Sequence, residues 1–535
     1  MNPQNDEQSI PKTPQRKHIG LLRASTTVGG MTVLSRISGF VRDVVFAHLF
    51  GATGMTDAFF VAFKIPNFFR RLFAEGAFSQ AFIPVFAEYR EKHGLDALRS
   101  LVSHVGGALF ACLLLLTTVM AAAAPLVILV FAPGFADDHE RYALATEMLR
   151  YTSFYLLFIS LVALSGSIQN SFHKFAAPAF TPVLLNLTLI TCAVWLSPNM
   201  KQPIVALAIG TFIAGAVQLL FQVPFLLRLG MLPRPRFSWQ HEGMRKVIRL
   251  MLPAMLGSAV VQINLLLDTI FASFLIVGSV TWLYYADRMV ELPLGVFSIA
   301  IATVILPSLS GKHARGDADG FSRNLDWGLR TTTLITMPAA AGIILLAGPI
   351  LLSLFQGNQF SIDDAMMTRV SLIAYTIGLP AFGYVKILAP GFFARHDTRT
   401  PVRIAVYSMI FKLLVTLLTV TPLYLYGIRW AHAGLALATA LSAWAQTLLL
   451  YWYLRRGNFY RPVAGWLKFS GQIFAATAAM SALLLFVTPE STAWFEYLPW
   501  RRIALLAALI VPSILVFVSV LWLGGVRFVH FRGHH

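Results

Sequence analysis

The chain reads as an all-α polytopic membrane protein. About fourteen transmembrane helices are expected, arranged as two pseudo-symmetric six-helix lobes around a central cationic cavity, with two further C-terminal helices. Three observations predict this. Of its 535 residues, 57% are hydrophobic and 12% charged, with a mean hydropathy of +0.68, outside the range of soluble globular chains. Apolar stretches long enough to span a bilayer recur along the whole length, separated by polar or turn clusters. Finally, the halves resemble each other at an offset of roughly 225 residues. Phe82-Ile-Pro84-Val-Phe matches Ile305-Leu-Pro307-Ser-Leu, Asp43-Val-Val-Phe-Ala matches Asp268-Thr-Ile-Phe-Ala, and His173-Lys174-Phe-Ala-Ala-Pro178 echoes His396-Asp-Thr-Arg399-Thr-Pro401. An offset of six helices makes the repeats parallel, so two lobes face each other across a cleft.

Helix one, 21–50, carries Ser35-Arg36-Ile-Ser-Gly39-Phe-Val-Arg42-Asp43. Arg36 and Asp43 share a face, and Arg42 points about 120° away from Arg36. Helix two, 57–86, is an aromatic run interrupted by Asp57, Lys64, Asn67, Arg70, Arg71 and Glu75. Spacings of seven and four place Asp57, Lys64, Arg71 and Glu75 near one face. Each charge at mid-bilayer costs about 2.5 to 3.5 kcal/mol, so this face is expected to line an aqueous cavity. Helices three to six follow at 101–131, 144–168, 180–196 and 204–227. Helix seven, 247–274, holds Asp268, and helix eight, 280–306, holds Tyr284-Tyr285-Ala-Asp287-Arg288-Met-Val-Glu291-Leu-Pro293. Helices nine to twelve are 327–354, 370–393 with Lys386, 401–423 with Lys412, and 431–454. Helices thirteen and fourteen, 466–487 and 503–523, fall outside the repeat. The domains are then an N-lobe at 21–228, a C-lobe at 245–455 and the final pair at 466–524. A disordered cytoplasmic tail at 1–20 and a short one at 525–535 flank them.

Placing both termini in the cytoplasm puts most Lys and Arg on inner segments and leaves acidic Asp137-Asp138-His-Glu140 and Asp363-Asp364 outside, as the positive-inside rule requires. The net charge of +18 is thus largely a topology signal and implies no nucleic-acid partner. The N-terminal tail lacks a signal-peptide pattern. Cys112 and Cys192 lie inside predicted helices, with no zinc or disulfide framework. Loops are too short for a soluble catalytic domain. Without a Gly-x-x-x-x-Gly-Lys-Ser/Thr loop, direct use of ATP is not expected. No cofactor or metal is expected, and the coupling ion is left open.

Across the cleft, Arg288 is placed to meet Arg36, Arg42 and Arg70 in one cationic site suited to phosphate, because a planar guanidinium donates two hydrogen bonds and keeps its charge. Asp43, Asp57, Lys64, Arg71, Glu75, Asp287 and Glu291 are supporting cavity charges. The alternative is a set of structural ion pairs: Arg288 with Glu291 or Asp287, Arg71 with Glu75, Arg36 with Asp43. Asp268 either pairs with Lys412 or binds a coupling cation, and a nearby ammonium favours the pair.

Ser35-Arg-Ile-Ser-Gly-Phe-Val-Arg-Asp43, the run from Thr56 to Gln80, Tyr284-Tyr-Ala-Asp-Arg288 and Leu388-Ala-Pro-Gly-Phe-Phe-Ala-Arg395 closely resemble the MurJ/MviN family. These are lipid II flippases of bacterial peptidoglycan synthesis, in the multidrug/oligosaccharidyl-lipid/polysaccharide exporter superfamily. The resemblance runs from about residue 21 over almost the whole chain. It implies a cationic cavity whose arginines match Arg36, Arg42, Arg70 and Arg288, acidic positions matching Asp43, Asp57 and Glu291, and a groove on the last two helices for the undecaprenyl tail. Some members bind sodium between helices seven, eleven and twelve. Asp268 keeps one carboxylate of that site, whereas helix eleven offers Ser408 and Lys412 without a carboxylate or Asn.

The expected function is translocation of lipid II, undecaprenyl-pyrophosphoryl-MurNAc-pentapeptide-GlcNAc, across the bacterial inner membrane by alternating access, driven by the membrane potential. Expected partners are that lipid, membrane lipids and a cell-wall synthesis complex. The rivals are a multidrug or cation antiporter of the same superfamily, and an enzyme acting on lipid-linked pyrophosphate, for which the outer loops offer few catalytic groups.

Overall fold

A computed structural model describes residues 15–72, 77–234, 236, 238, 241–295, 299–489 and 493–526. Glu75, the first fourteen residues of the N-terminal tail and 527–535 of the C-terminal one lie outside the described residues. The described chain is helical, without strands. The first lobe contains α1 (Gln15–Phe50), α2 (Gly54–Arg70), α3 (Ala77–Lys92), α4 (Gly94–Ala122), α5 (Ala124–Phe131), α6 (His139–Ser171), α7 (Ala176–Thr191) and α8 (Val205–Arg228). The second contains α9 (Glu242–Ser273), α10 (Ser279–Pro293), α11 (Ile299–Ala314), α12 (Ala318–Leu354), α13 (Ile362–Thr376), α14 (Leu379–Phe393), α15 (Arg399–Leu425) and α16 (His432–Arg456). A final unit holds α17 (Trp466–Val487), the short α18 (Ala493–Glu496) and α19 (Pro499–Leu523). α17 and α19 pack on each other and against α12.

Among the described residues, ten helical segments are long and apolar enough to cross a membrane. The predicted spans outside those ten are the first, second, seventh and eighth, formed by α1, α2 with α3, α9, and α10 with α11. These four carry the ionisable residues of the central cavity.

The duplication is visible in the backbone. A π-turn at Arg71-Leu72 ends α2, and another at Leu294-Gly295 ends α10, at matching positions of the two repeats. His173 and His396 both adopt left-handed backbone, with φ of 58° and 60°, in the corresponding turns after α6 and α14. Pro84 and Pro307 lie inside α3 and α11. Within α2, Pro66 has no N–H for the carbonyl of Ala62, and the Thr152 hydroxyl of α6 donates to that oxygen instead at 2.9 Å. The carbonyl freed by the proline is thereby satisfied from a neighbouring helix.

One apolar cluster joins both lobes, combining Phe46, Phe59 and Phe60 with Tyr285, Phe355 and Phe360. Towards the opposite end the lobes have separate cores, one around Phe82 and Phe86 and one around Leu325 and Leu388. At the joined end, Gly51 has φ +63° and lies so close to Gln359 that a Cβ would stand 2.2 Å from its carbonyl oxygen. Here Asp57 crosses the seam. Its carboxylate accepts from the backbone N–H groups of Gly278 (2.7 Å) and Thr281 (2.9 Å) and from the Thr281 hydroxyl (2.6 Å). Asp57 therefore caps the start of α10, where unpaired N–H groups and the helix dipole favour an anion. It stands apart from the cavity-lining residues.

The first half of α9 belongs physically to the first lobe, although the repeat assigns this helix to the second. It packs on α3, with Lys246 bonded to Glu88, and that hydrogen bond holds the Glu88 carboxyl below its usual range. Its far end contacts α15 and α10.

Asp57→Ala leaves three donors without their acceptor, a cost of about 1–3 kcal/mol for a buried group. A clear fall in the thermal unfolding midpoint in detergent is expected, with a smaller fall for Asp57→Asn; an unchanged midpoint would remove the seam from the account.

Candidate substrate cavity

Between the lobes lies a cavity of about 490 Å³. Helix periodicity turns the apolar residues Val33, Ile37 and Val41 of α1 outward, all at least 45% exposed, and leaves Arg36, Gly39 and Asp43 facing inward. The lining basic residues are Arg36, Arg42, Lys64, Arg70, Arg71 and Arg288, and the lining acids are Asp43, Asp268, Asp287 and Glu291. Six against four leaves the described lining cationic by two.

The site is built around Arg42. Its Nε and Nη2 donate to Asp43 Oδ1 at 3.0 and 2.6 Å, Nη1 donates to Asn186 Oδ1 at 3.1 Å, and Nη2 also donates to the Tyr284 hydroxyl at 2.9 Å. That hydroxyl in turn donates to Asp43 at 3.1 Å. Tyr284 comes from the opposite lobe and stacks on Phe60, with centroids 3.9 Å apart. A closed hydrogen-bonded group of this kind offsets the desolvation of a buried guanidinium.

Arg288 lies over the Tyr284 ring at 4.9 Å. Its Nη1 binds Glu291 at 2.6 Å, its Nε is 3.9 Å from Asp43 Oδ2, and that Nε has no hydrogen-bond partner among the described residues. Arg36 Nε is also buried without a hydrogen-bond partner among the described residues, and its guanidinium rests against the backbone at Gly295, where a Cβ would come within 2.0 Å. Arg70 donates to Asn67 Oδ1 at 3.1 Å, while the Asn67 amide donates to the Phe63 carbonyl at 2.7 Å. Lys64 and Arg71 have no ion-pair partner among the described residues. The structure thus brings together all four predicted arginines and places Asp43, Lys64, Arg71, Asp287 and Glu291 around them.

A family model described as lipid II flippase MurJ matches residues 46–501. The chain belongs to this family. The probable lipid II flippase MurJ of Vibrio cholerae is 42% identical, across 95% of this chain and 97% of its own length. The lipid II flippase MurJ of Burkholderia cenocepacia is 38% identical, across 96% and 99%. A solved structure of lipid II flippase MurJ in an inward closed conformation superposes with a TM-score of 0.75 at 27% identity, over 94% of this chain and 98% of that one. An inward-facing multidrug resistance MATE transporter of the MOP superfamily gives 0.59 at 13% identity, over 81% and 94%, which shows shared fold alone.

Within this family's fold, Asp268 is an ion-pair partner. Lys412 Nζ lies 2.6 Å from its Oδ2, and Lys412 is 3% exposed. The ammonium thus neutralises this carboxylate through its Oδ2.

Two contributors received no role from the sequence alone. Tyr284 sits in a recognised motif but reads as an aromatic helix residue. Asn186 is a lone amide in the apolar run of α7, and such a residue inside a span is itself a signal. Behind it, Gln218 donates to the Thr181 carbonyl at 2.9 Å, Gln222 donates to the Thr181 hydroxyl at 2.5 Å, and Gln169 bonds Gln222. These bonds tie α7 to α6 and α8.

Tyr284→Phe keeps the stacking and removes the shared hydroxyl. A stability loss of about 0.5–1.5 kcal/mol is expected, together with reduced transport at matched abundance; full transport would detach the hydroxyl from the site. Lys412→Met strands a carboxylate whose side chain is 18% exposed to the cavity, at a cost below the about 3–5 kcal/mol of a fully buried pair, and adding Asp268→Asn should restore much of the lost unfolding temperature. A double variant no more stable than Lys412→Met would contradict the pairing.

Proposed function

We propose that this protein moves lipid II from the cytoplasmic to the outer leaflet of the inner membrane by alternating access. All fourteen spans cross the bilayer in this reading, with both termini and the basic loops cytoplasmic. The observation that carries it is the convergence of Arg36, Arg42, Arg70 and Arg288 on one cavity, two of them with buried Nε atoms that make no hydrogen bond among the described residues. A pyrophosphate carries about two negative charges and matches the guanidinium fork. Arg42 is occupied by Asp43, Asn186 and Tyr284 and so shapes the site, whereas Arg36 and Arg288 retain donors for substrate oxygens. The cavity takes polar parts of the head group. The exposed apolar faces of α17 and α19, including Phe474, Phe486 and Leu515, offer a path for the polyprenyl tail in lipid.

The lobes then rock about their shared apolar seam, exposing the arginines to one side at a time. With the cytoplasm negative, moving two negative charges outward is favoured by roughly 4 to 5 kcal/mol at 100 mV if they cross the whole field. That energy drives the cycle, and the emptied cationic site is drawn back inward. A cationic lining does not suit the cationic drugs of an antiporter, and the Asp268–Lys412 pair supports transport without sodium at that position.

The test uses cells depleted of their own flippase. Wild type should restore outward exposure of lipid II, and Arg288→Ala at matched membrane abundance should abolish it. Failure of the well-expressed wild type would refute the substrate assignment, and a fully active Arg288→Ala would reduce Arg288 to a structural partner of Glu291.

A further inference from the structure

A second cavity, of about 500 Å³, lies beside the first between α1 and the α6–α7 turn. Ser35, Arg36 and Pro182 line both spaces and form part of the partition between them. On the central side α1 and α7 are closely joined: Asn186 Nδ2 donates to the Ser35 carbonyl and the Ser38 hydroxyl at 3.2 and 2.9 Å, and a Cβ on Gly39 would touch Asn186 at 3.4 Å. Towards the α6–α7 turn, along α1 from Ser35 back to Val28, the second space opens beside Thr32 and Asn170. The exposed Lys174 follows in the same turn. Pro178 and Pro182 line this space, and Pro182 has no N–H to give the Pro178 carbonyl, which leaves a backbone acceptor in that wall. The lining thus combines hydroxyl, amide and carbonyl groups with apolar proline surface and one guanidinium at the shared wall.

We propose that this space is an entry vestibule for the phosphate-linked sugar end of the translocated lipid, occupied before the pyrophosphate reaches the central arginines. This deepens the flippase reading and rests on it. Sugar hydroxyls and amides match the polar lining, an aliphatic ring face suits the prolines, and the phosphates meet Arg36 first. Arg36 then serves both spaces, passing the anion from one to the other as its guanidinium leaves the Gly295 backbone. The central cavity alone does not explain why a second recess, lined by Val28, Phe175 and the two prolines as well as by Thr32, Ser35 and Asn170, abuts this arginine.

The test places a reporter thiol in each space of the full-length protein, with the exposed Cys112 replaced by Ser. Ala179→Cys reports on the vestibule and Thr439→Cys on the central cavity. In inside-out membrane vesicles, lipid II is expected to slow modification of both thiols by a water-soluble methanethiosulfonate by about tenfold, whereas inorganic pyrophosphate leaves Ala179→Cys unaffected. Protection of Thr439→Cys alone overturns the vestibule and leaves the flippase reading intact. Protection of neither thiol contradicts both. Protection of Ala179→Cys by inorganic pyrophosphate as strongly as by lipid II overturns the lipid occupant. In a second arm, Ala179→Trp fills the recess without altering a central lining residue, and it should lower the rate at limiting lipid II; an unchanged rate at normal abundance counts against the proposal.

Discussion

Everything in this molecule is arranged around holding guanidinium groups inside an apolar bundle. An unpaired ion at that depth costs several kcal/mol, and a fully paired one has nothing left to bind with. The Arg42–Asp43–Tyr284–Asn186 group resolves this by division: one arginine is satisfied by three side chains from three helices, while Arg36 and Arg288 on either side each keep an Nε that no described residue accepts. Tyr284 is central because it belongs to the opposite lobe, so separating the lobes changes the surroundings of Arg42 directly.

The same constraint explains the distribution of apolar packing. The lobes share one core on the side of Asp57 and Gly51 and keep separate cores on the other. A core shared at one end, with separate cores at the other, is the geometry that alternating access by rigid lobes requires. The bridging helix α9 is held to the first lobe at its start and touches both lobes at its end, where the Ser273 hydroxyl accepts from the Gly134 N–H at 3.0 Å and Asp268 pairs with Lys412. The second cavity lies between the α6–α7 turn and α1, away from the tight α1–α7 contact at Asn186.

Much of this was legible in the sequence, and the reasons for the exceptions are physical. Charge inside apolar spans is so costly that Arg36, Arg42, Arg70 and Arg288 announced a cavity without any structure, and the repeated His-turn and Pro positions announced two lobes. Helical periodicity gave Asp57 the same face as Lys64, yet it caps α10, because its position at the start of α2 puts it beside the unpaired N–H groups of a helix in the other lobe. A one-dimensional pattern carries no information about which helix end lies across a seam. Asn186 and Tyr284 escaped notice for a related reason: their role is to satisfy another residue, and that pairing exists only in three dimensions. Lys412 and Asp268 stand 2.6 Å apart, the arrangement that two lone opposite charges on neighbouring spans favour.

The most direct test of the central claim is an electron cryo-microscopy structure of the protein with lipid II bound. The account predicts both phosphates within about 3 Å of the Arg36 and Arg288 guanidinium nitrogens, a charge-assisted hydrogen-bond distance, with Arg42 still held by Asp43 and Asn186. Phosphates bound elsewhere, with Arg288 still closed on Glu291, would contradict it.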